Sequence, residues 1–331
     1  MEQGIGLDIG TNMLVSAMKD DEGNEVYKKQ RDSFFKISPK SAVNRKSIKM
    51  SLEGRKVNFI MDGDDFVIVG EDAVVMANER NVNTRRPMAK GVLSPKEKDS
   101  LPMIKLLIQS LLLDASPGPL VFSIPGNPVG ESFDIHFHRE MIKTFVKEMG
   151  FESSDINESF AIVFSELLDH NLSGLCISFG AGMINACLSF EGDPLVEFAF
   201  CRGGDWIDKQ VGNALDISSS IVQIEKERGD IDLYKPEGKI QEAISVYYNV
   251  LIEYAVKNII YELKKINLPP AVVRGGLPVV ISGGLVLAKG FKNKFIEEVE
   301  NNKFPFSIKE IKEAKEPMLA VARGCLLAAS I

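Results

Sequence analysis

Two short glycine-marked segments hold the residues best suited to chemistry. The first reads Gly6-Leu7-Asp8-Ile9-Gly10-Thr11-Asn12-Met13-Leu14-Val15, and the second Cys176-Ile177-Ser178-Phe179-Gly180-Ala181-Gly182-Met183-Ile184-Asn185. Each is an apolar run, a turn of small residues and a second apolar run, which predicts a β-hairpin. Small turn residues let successive backbone N–H groups approach and wrap an anion. One such hairpin is ordinary turn chemistry. Two, about half a chain apart, predict a duplicated fold whose hairpins face one cleft and grip a polyphosphate from both sides. Asp8, at the end of the first strand, reads by itself as a turn or capping residue, though a carboxylate beside a phosphate turn can also order the hydration shell of a divalent cation. Glu166 follows an apolar run and, on residue type alone, reads equally well as a solvated surface carboxylate.

The elements that must position these groups alternate in type. Residues 5–20 and 24–30 read as strands, and the Lys-, Ser- and Gly-rich stretch 34–65 as a small inserted subdomain. Residues 67–73 return to the main body and open a helix. Beyond them, 102–113 predicts an apolar helix, 120–125 a buried strand, 129–149 an amphipathic helix and 161–164 a short strand. In the second half, 196–201 reads as a strand and 206–268 as mostly helical, broken near Gly229 and Pro236. Residues 277–284 form a buried strand entering a Gly-Gly turn, and 317–329 a closing helix. This alternation predicts an α/β fold of mixed sheets with helices on their faces. The expected division is lobe I from 1–150 plus 316–331, with its insertion at 34–65. Lobe II would be 151–315, with an insertion at 206–270.

Composition narrows the function. A length of 331 residues suits two domains or one bilobal unit. A hydrophobic share of 45% and a charged share of 26% are those of a soluble globular chain. The net charge of −7 argues against a general nucleic-acid binder. Cys176, Cys187, Cys201 and Cys325 form no C-x-x-C pair and read as reduced thiols of a cytoplasmic protein. Met1-Glu2-Gln3 runs straight into the first strand, so no signal peptide is expected. No uncharged apolar stretch reaches about 18 residues, so no membrane span or direct membrane contact is expected. His136 and His138, two apart, share no helix face and read as surface residues, and no Walker A motif is present.

In order and over most of its length the chain resembles the actin-like ATPase superfamily, and within it the MreB-type prokaryotic actins. Asp8-Ile9-Gly10-Thr11 resembles the first phosphate motif, and Ser165-Glu166 falls where the family carries its connecting Glu. Val69-Gly70-Glu71-Asp72-Ala73 and Arg86-Pro87-Met88-Ala89-Lys90-Gly91-Val92 are similar to MreB segments at the same relative positions. Arg202-Gly203-Gly204-Asp205-Trp206-Ile207-Asp208 resembles a Gly-Gly-Asp run, and Ile281-Ser282-Gly283-Gly284-Leu285 the adenosine motif. Glu316 to Gly324 is similar to the C-terminal connecting helix. The resemblance implies an actin-like, ribonuclease H-like bilobal fold that binds Mg-ATP between its lobes. It implies Asp8 and Glu166 as the reactive carboxylates, with Asp8 also serving Mg²⁺. Phosphate and sugar contacts would come from Gly10, Thr11, Asn12, Gly180, Ala181, Gly182, Gly203, Gly204 and Asp205. Base contacts would come from Glu225, Gly283, Gly284 and Leu285. The implied partners are further copies of the chain, joined head to tail in a cytoskeletal filament, together with adaptor proteins.

Two positions depart from the family's second phosphate motif: Ser178 stands where the motif has Asp, and Met183 where it has Thr. One carboxylate and one hydroxyl are therefore missing beside the metal, which implies weak ATP hydrolysis or binding without turnover. A non-polymerising nucleotide switch, of the FtsA, PilM or chaperone-ATPase kind, is the alternative. A small-molecule kinase is a third reading, disfavoured because no second acidic motif supplies a substrate base.

Overall fold

The computed structural model describes residues 4–57, 59–80 and 82–331; the expectation placed on Met1-Glu2-Gln3 lies outside the described residues. The first hairpin is β1 (Ile5–Ile9) and β2 (Met13–Lys19), followed by β3 (Glu25–Arg31). A small unit comes next: β4 (Phe34–Ile37), α1 (Ala42–Gly54), β5 (Phe59–Asp62), β6 (Asp65–Val69) and α2 (Glu71–Glu79). The short pair β7 (Met88–Ala89) and β8 (Val92–Leu93) leads to α3 (Ser100–Leu112) and β9 (Pro119–Ile124). α4 (His136–Glu148), β10 (Glu152–Asn157) and α5 (Glu158–Glu166) complete the first half. The second half opens with β11 (Gly174–Phe179), β12 (Ile184–Phe190) and β13 (Asp193–Phe200). Helices α6 (Gly204–Leu215), α7 (Ser219–Glu227), α8 (Gly238–Leu263) and α9 (Pro270–Gly275) follow. The chain closes with β14 (Leu277–Ser282), α10 (Phe291–Glu300), β15 (Ile308–Glu313) and α11 (Ala320–Ala328).

The strands build one plan twice. One sheet has the order β10-β9-β1-β2-β3 and the other β13-β12-β11-β14-β15. In each, a hairpin strand pairs antiparallel with its partner and parallel with a strand from a later crossover: β1 with β2 and β9, β11 with β12 and β14. The central strands β11 and β14 are buried along their whole length and mainly apolar, as strands covered on both faces are. Each sheet buries its own core. Leu7, Phe122 and Ile104 belong to the first, and Phe179, Ile281, Phe291 and Phe295 to the second. A third cluster joins them: α5 and α11 lie between the sheets, with Ala161, Ile162 and Cys325 packed against Val121 of one sheet and Val280 of the other. The two helices cross closely, since a Cβ on Gly324 would meet the Ala161 carbonyl oxygen at 1.8 Å. Any side chain there forces the helices apart.

Three expectations need correction. Residues 161–164 are helical, not a strand, because α5 starts at Glu158. Asn157 caps it: its Oδ1 accepts from the amides of Ser159 at 2.8 Å and Phe160 at 3.2 Å. Glu158 in the first turn suits the helix dipole. The first sheet takes in β10, which pairs with β9, so it extends past the expected boundary at 150. His138 is buried rather than superficial, its Nδ1 accepting the Leu93 amide at 3.3 Å, while burial pushes its pKa down to about 4. His136, two residues away, is exposed.

Candidate functional site

The turns of the two hairpins meet. A Cβ on Gly182 would come within 2.4 Å of Thr11 Oγ1 and 2.8 Å of the Gly91 amide, so the second turn passes the first with room only for glycine. Thr11 is buried there and its Oγ1 accepts the Gly91 N–H at 3.0 Å. Beside this crossing lies a cavity of about 390 Å³, within the range of small-molecule sites. The first turn lines it with Gly10, Thr11 and Asn12, and the second with Gly180, Ala181 and Gly182. Gly204, Gly283, Gly284 and Leu285 line it as well, with Ile231 and Tyr248. The structure thus brings most of the predicted residues to one wall.

Three carboxylates line this cavity: Glu227, engaged by Arg31 and Asn12, and the pair Asp8 and Glu158. Ser123 Oγ donates to Asp8 Oδ1 at 2.9 Å and itself accepts the Ile9 amide at 3.0 Å. Asn185 Nδ2 donates to Glu158 Oε2 at 2.8 Å. Burial pushes both carboxyl groups above their ordinary range; the charge of Asp8 raises Glu158 further, while the Ser123 hydroxyl opposes the rise at Asp8. A half-buried pair of carboxylates close enough for one charge to raise the other fits a divalent cation. Among the described residues no three acidic, His or Cys side chains cluster closely enough to hold a metal by themselves. Asp8 and Glu158 would therefore hold it together with ligand oxygens and water.

The predicted Glu166 is not part of this wall. It ends α5, where its carbonyl accepts Lys312 Nζ at 2.9 Å and its Oε1 the Lys315 amide at 3.3 Å. Eight residues of helix carry it about 12 Å along the axis from Glu158. Gly203, Asp205 and Glu225 stand behind the lining. The Gly204 and Asp205 amides donate to the carbonyls of Gly180 and Ala181 at 3.0 and 2.9 Å, buttressing the second turn. Glu225 accepts from Gln241 at 2.9 Å and Arg228 at 2.6 Å, and its neighbour Lys226 lines the cavity instead. Lys226 Nζ donates to the Gly204 carbonyl at 2.8 Å and lies 2.9 Å from Asp208 Oδ1, a contact of opposite charges not aligned as a hydrogen bond. Burial raises Asp208 to about 6, with Lys226 opposing.

The side chain of Asn12 is engaged at the mouth of the cleft. Its Oδ1 accepts from Arg86 Nη2 and Gln223 Nε2, both at 3.2 Å, and its Nδ2 donates to Glu227 Oε1 at 3.2 Å. Around it Arg86 makes a two-pronged pair with Asp205 at 2.9 and 3.0 Å, and Arg31 Nη1 lies 2.9 Å from both Glu227 oxygens. Arg31, Arg86 and Asn12 come from the first half of the chain, and Asp205, Gln223 and Glu227 from the second. The sequence reading missed Glu158, Ser123, Asn185 and this clasp. Asn157 followed by Glu158 was a helix-start signal for the first. The others depend on contacts between residues 27 to 215 positions apart.

The family model described as Volactin matches residues 2–329. The chain belongs to the Volactin family. No match to a curated protein is found. Among solved structures, this Volactin chain is similar to a MamK double helical filament, with 18% identity, coverage of 100% of this chain and 99% of that one, and a TM-score of 0.71. It is similar to MreB 5 of Spiroplasma citri bound to AMPPNP, with 16% identity, coverage of 98% and 95%, and a TM-score of 0.68. The ethanolamine utilization protein EutJ from Carboxydothermus hydrogenoformans is similar at 15% identity, with coverage of 99% and 90% and a TM-score of 0.56. The fold of the Volactin chain is the actin-like fold, and the MreB-type resemblance stands. Among the described residues no helix is long and apolar enough to cross a membrane.

Proposed function

We propose that this chain binds Mg-ATP in the cleft between its glycine hairpins and assembles head to tail into nucleotide-dependent filaments, hydrolysing ATP slowly in the cytoplasm. The observation that carries the reading is the cavity of about 390 Å³ between two small-residue turns, with Asp8 and Glu158 facing it. Backbone amides of the two turns would hold the phosphates, and Gly283, Gly284 and Leu285 the nucleoside. When bound, Mg²⁺ would neutralise phosphate charge beside Asp8. Glu158, in place of Glu166, would orient the attacking water. Lobe I is taken as residues 4–157 with 316–331, and lobe II as 158–315. A head-to-tail contact uses two different surfaces and so repeats without closing. The similarity to MamK over nearly the whole of both chains supports assembly. Ser178 and Met183 favour the second reading, a switch that binds nucleotide without polymerising. Ultracentrifugation with Mg-ATP, Mg-ADP and no nucleotide tests the proposal. Ordered polymer with Mg-ATP is expected; protein that binds ATP yet stays soluble in all three moves the conclusion to the switch.

A further inference from the structure

Asn185 is 1% exposed on β12, with its amide between two other parts of the molecule. The Gly126 backbone N–H donates to its Oδ1 at 2.8 Å, and its Nδ2 donates to Glu158 Oε2 at 2.8 Å. The amide has only one workable orientation. A backbone N–H can only donate, so it must meet the amide oxygen; the NH₂ is then left for Glu158, whose carboxylate in its ionised form can only accept. Turning the amide over sets donor against donor and acceptor against acceptor. The three groups belong to separate pieces of the fold. Gly126 opens a strap running alongside β13, where the Val129 amide donates to the Ala199 carbonyl at 2.8 Å. Asn185 belongs to the second sheet, and Glu158 begins the helix between the sheets. β12 is otherwise apolar around this point, with Ile184 and Ala186 fully buried. A buried amide among such neighbours costs desolvation that an apolar residue avoids.

We propose that Asn185 is a positioning residue for Glu158, holding its carboxylate in one orientation at the phosphate end of the cleft. The proposal rests on the Mg-ATP reading above and deepens it. A glutamate has three rotatable bonds, and an unsupported one samples several placements. One hydrogen bond from a side chain that is itself pinned by a backbone amide removes that freedom before any ligand arrives. Asn185 touches no reacting atom; it acts through Glu158.

Asn185→Asp tests this. The variant is nearly isosteric and still accepts the Gly126 N–H, but it sets an oxygen against Glu158 Oε2 instead of a donor. Nucleotide affinity is measured with a fluorescent ATP analogue, and chemistry by single-turnover phosphate release, both on the full chain. Affinity is expected to stay within about threefold while phosphate release falls about 100-fold, the scale of a misplaced reactive group. If Asn185→Asp folds poorly, the double variant Asn185→Asp with Glu158→Gln restores the hydrogen bond with its polarity reversed. It is expected to recover the thermal midpoint and leave phosphate release low. Wild-type release in Asn185→Asp, or recovery of release together with the fold in the double variant, overturns the proposal. A wild-type chain that binds nucleotide and releases no phosphate overturns it too. A wild-type chain that binds no nucleotide overturns the Mg-ATP reading instead.

Discussion

The two hairpins share a backbone plan and differ in what they offer a ligand. The β1–β2 turn brings Asp8 and Thr11, a charge and a hydroxyl. The β11–β12 turn brings Ser178 and Ala181 at its corresponding places, and its polar contribution is mainly backbone. The second carboxylate of the cleft comes from α5, not from the second hairpin. Duplication therefore supplied the cradle, while the charges gathered on one side of it. Asymmetry of this kind leaves Asp8 and Glu158 close enough to feel each other's charge, and the second turn packed tightly against Thr11.

The sharpest way to break the comparison is at Asp8. Asp8→Asn is expected to weaken Mg-dependent nucleotide binding by about 100-fold, the loss of roughly 3 kcal/mol for a charged contact, read by titration with a fluorescent analogue. The same change is expected to stabilise the ligand-free chain. The sign follows from the raised carboxyls of Asp8 and Glu158. Between the unfolded carboxyl pKa, about 4, and the raised folded values, the native state holds more protons, so stability falls as pH rises. Thermal midpoints of the ligand-free wild type should drop from pH 5 to pH 8, and the drop should be smaller in Asp8→Asn.

Gly182→Ala comes next. With 2.4 Å to Thr11 Oγ1, the new methyl must part the hairpins. A destabilisation of about 1–3 kcal/mol is expected by denaturant titration, with weaker nucleotide binding. Gly180→Ala, whose Cβ would meet nothing nearer than the Met183 carbonyl at 3.1 Å, should cost less; equal costs would show that the hairpin contact is not special. Ser178→Asp supplies the second hairpin with a carboxylate and is expected to raise phosphate release about tenfold, or 1.4 kcal/mol in the barrier. Unchanged release would sink the account in which Ser178 slows turnover. The smallest effect is at the clasp. Glu227→Gln leaves Arg31 paired with Glu71 alone and should speed nucleotide release about two- to fivefold, as expected for partly exposed pairs. That difference should vanish at high salt.

Much of this fold was legible because glycine turns and apolar runs are local signals. Gly10, Gly180 and Gly283 mark strand ends whatever surrounds them. The reading failed where a short apolar run had two solutions. Ala161-Ile162-Val163-Phe164 fits a buried strand or a buried helix equally well, and only Asn157 upstream decides it. The resemblance placed the expected reactive glutamate at Glu166, eight residues beyond the Glu158 that lines the cavity. Asn12 shows another limit: an exposed-looking amide beside a phosphate turn reads as a ligand donor, but its partners are Arg86, Gln223 and Glu227, which no local pattern joins to it. Asn185 lay within the quoted hairpin, yet nothing local to it points to Gly126 or Glu158.

The close crossing of α5 and α11 at Ala161 and Gly324 makes a fulcrum. Glu158 lies three residues from it, about 4.5 Å along the helix axis, and Glu166 five residues away on the other arm, about 7.5 Å. A lobe rotation of about 10° about this point shifts the backbone of Glu158 by under 1 Å, and that of Glu166 by more. Glu158 therefore sits closer to the tight helix crossing than Glu166 does, so any rotation of one sheet against the other about that crossing displaces Glu158 less.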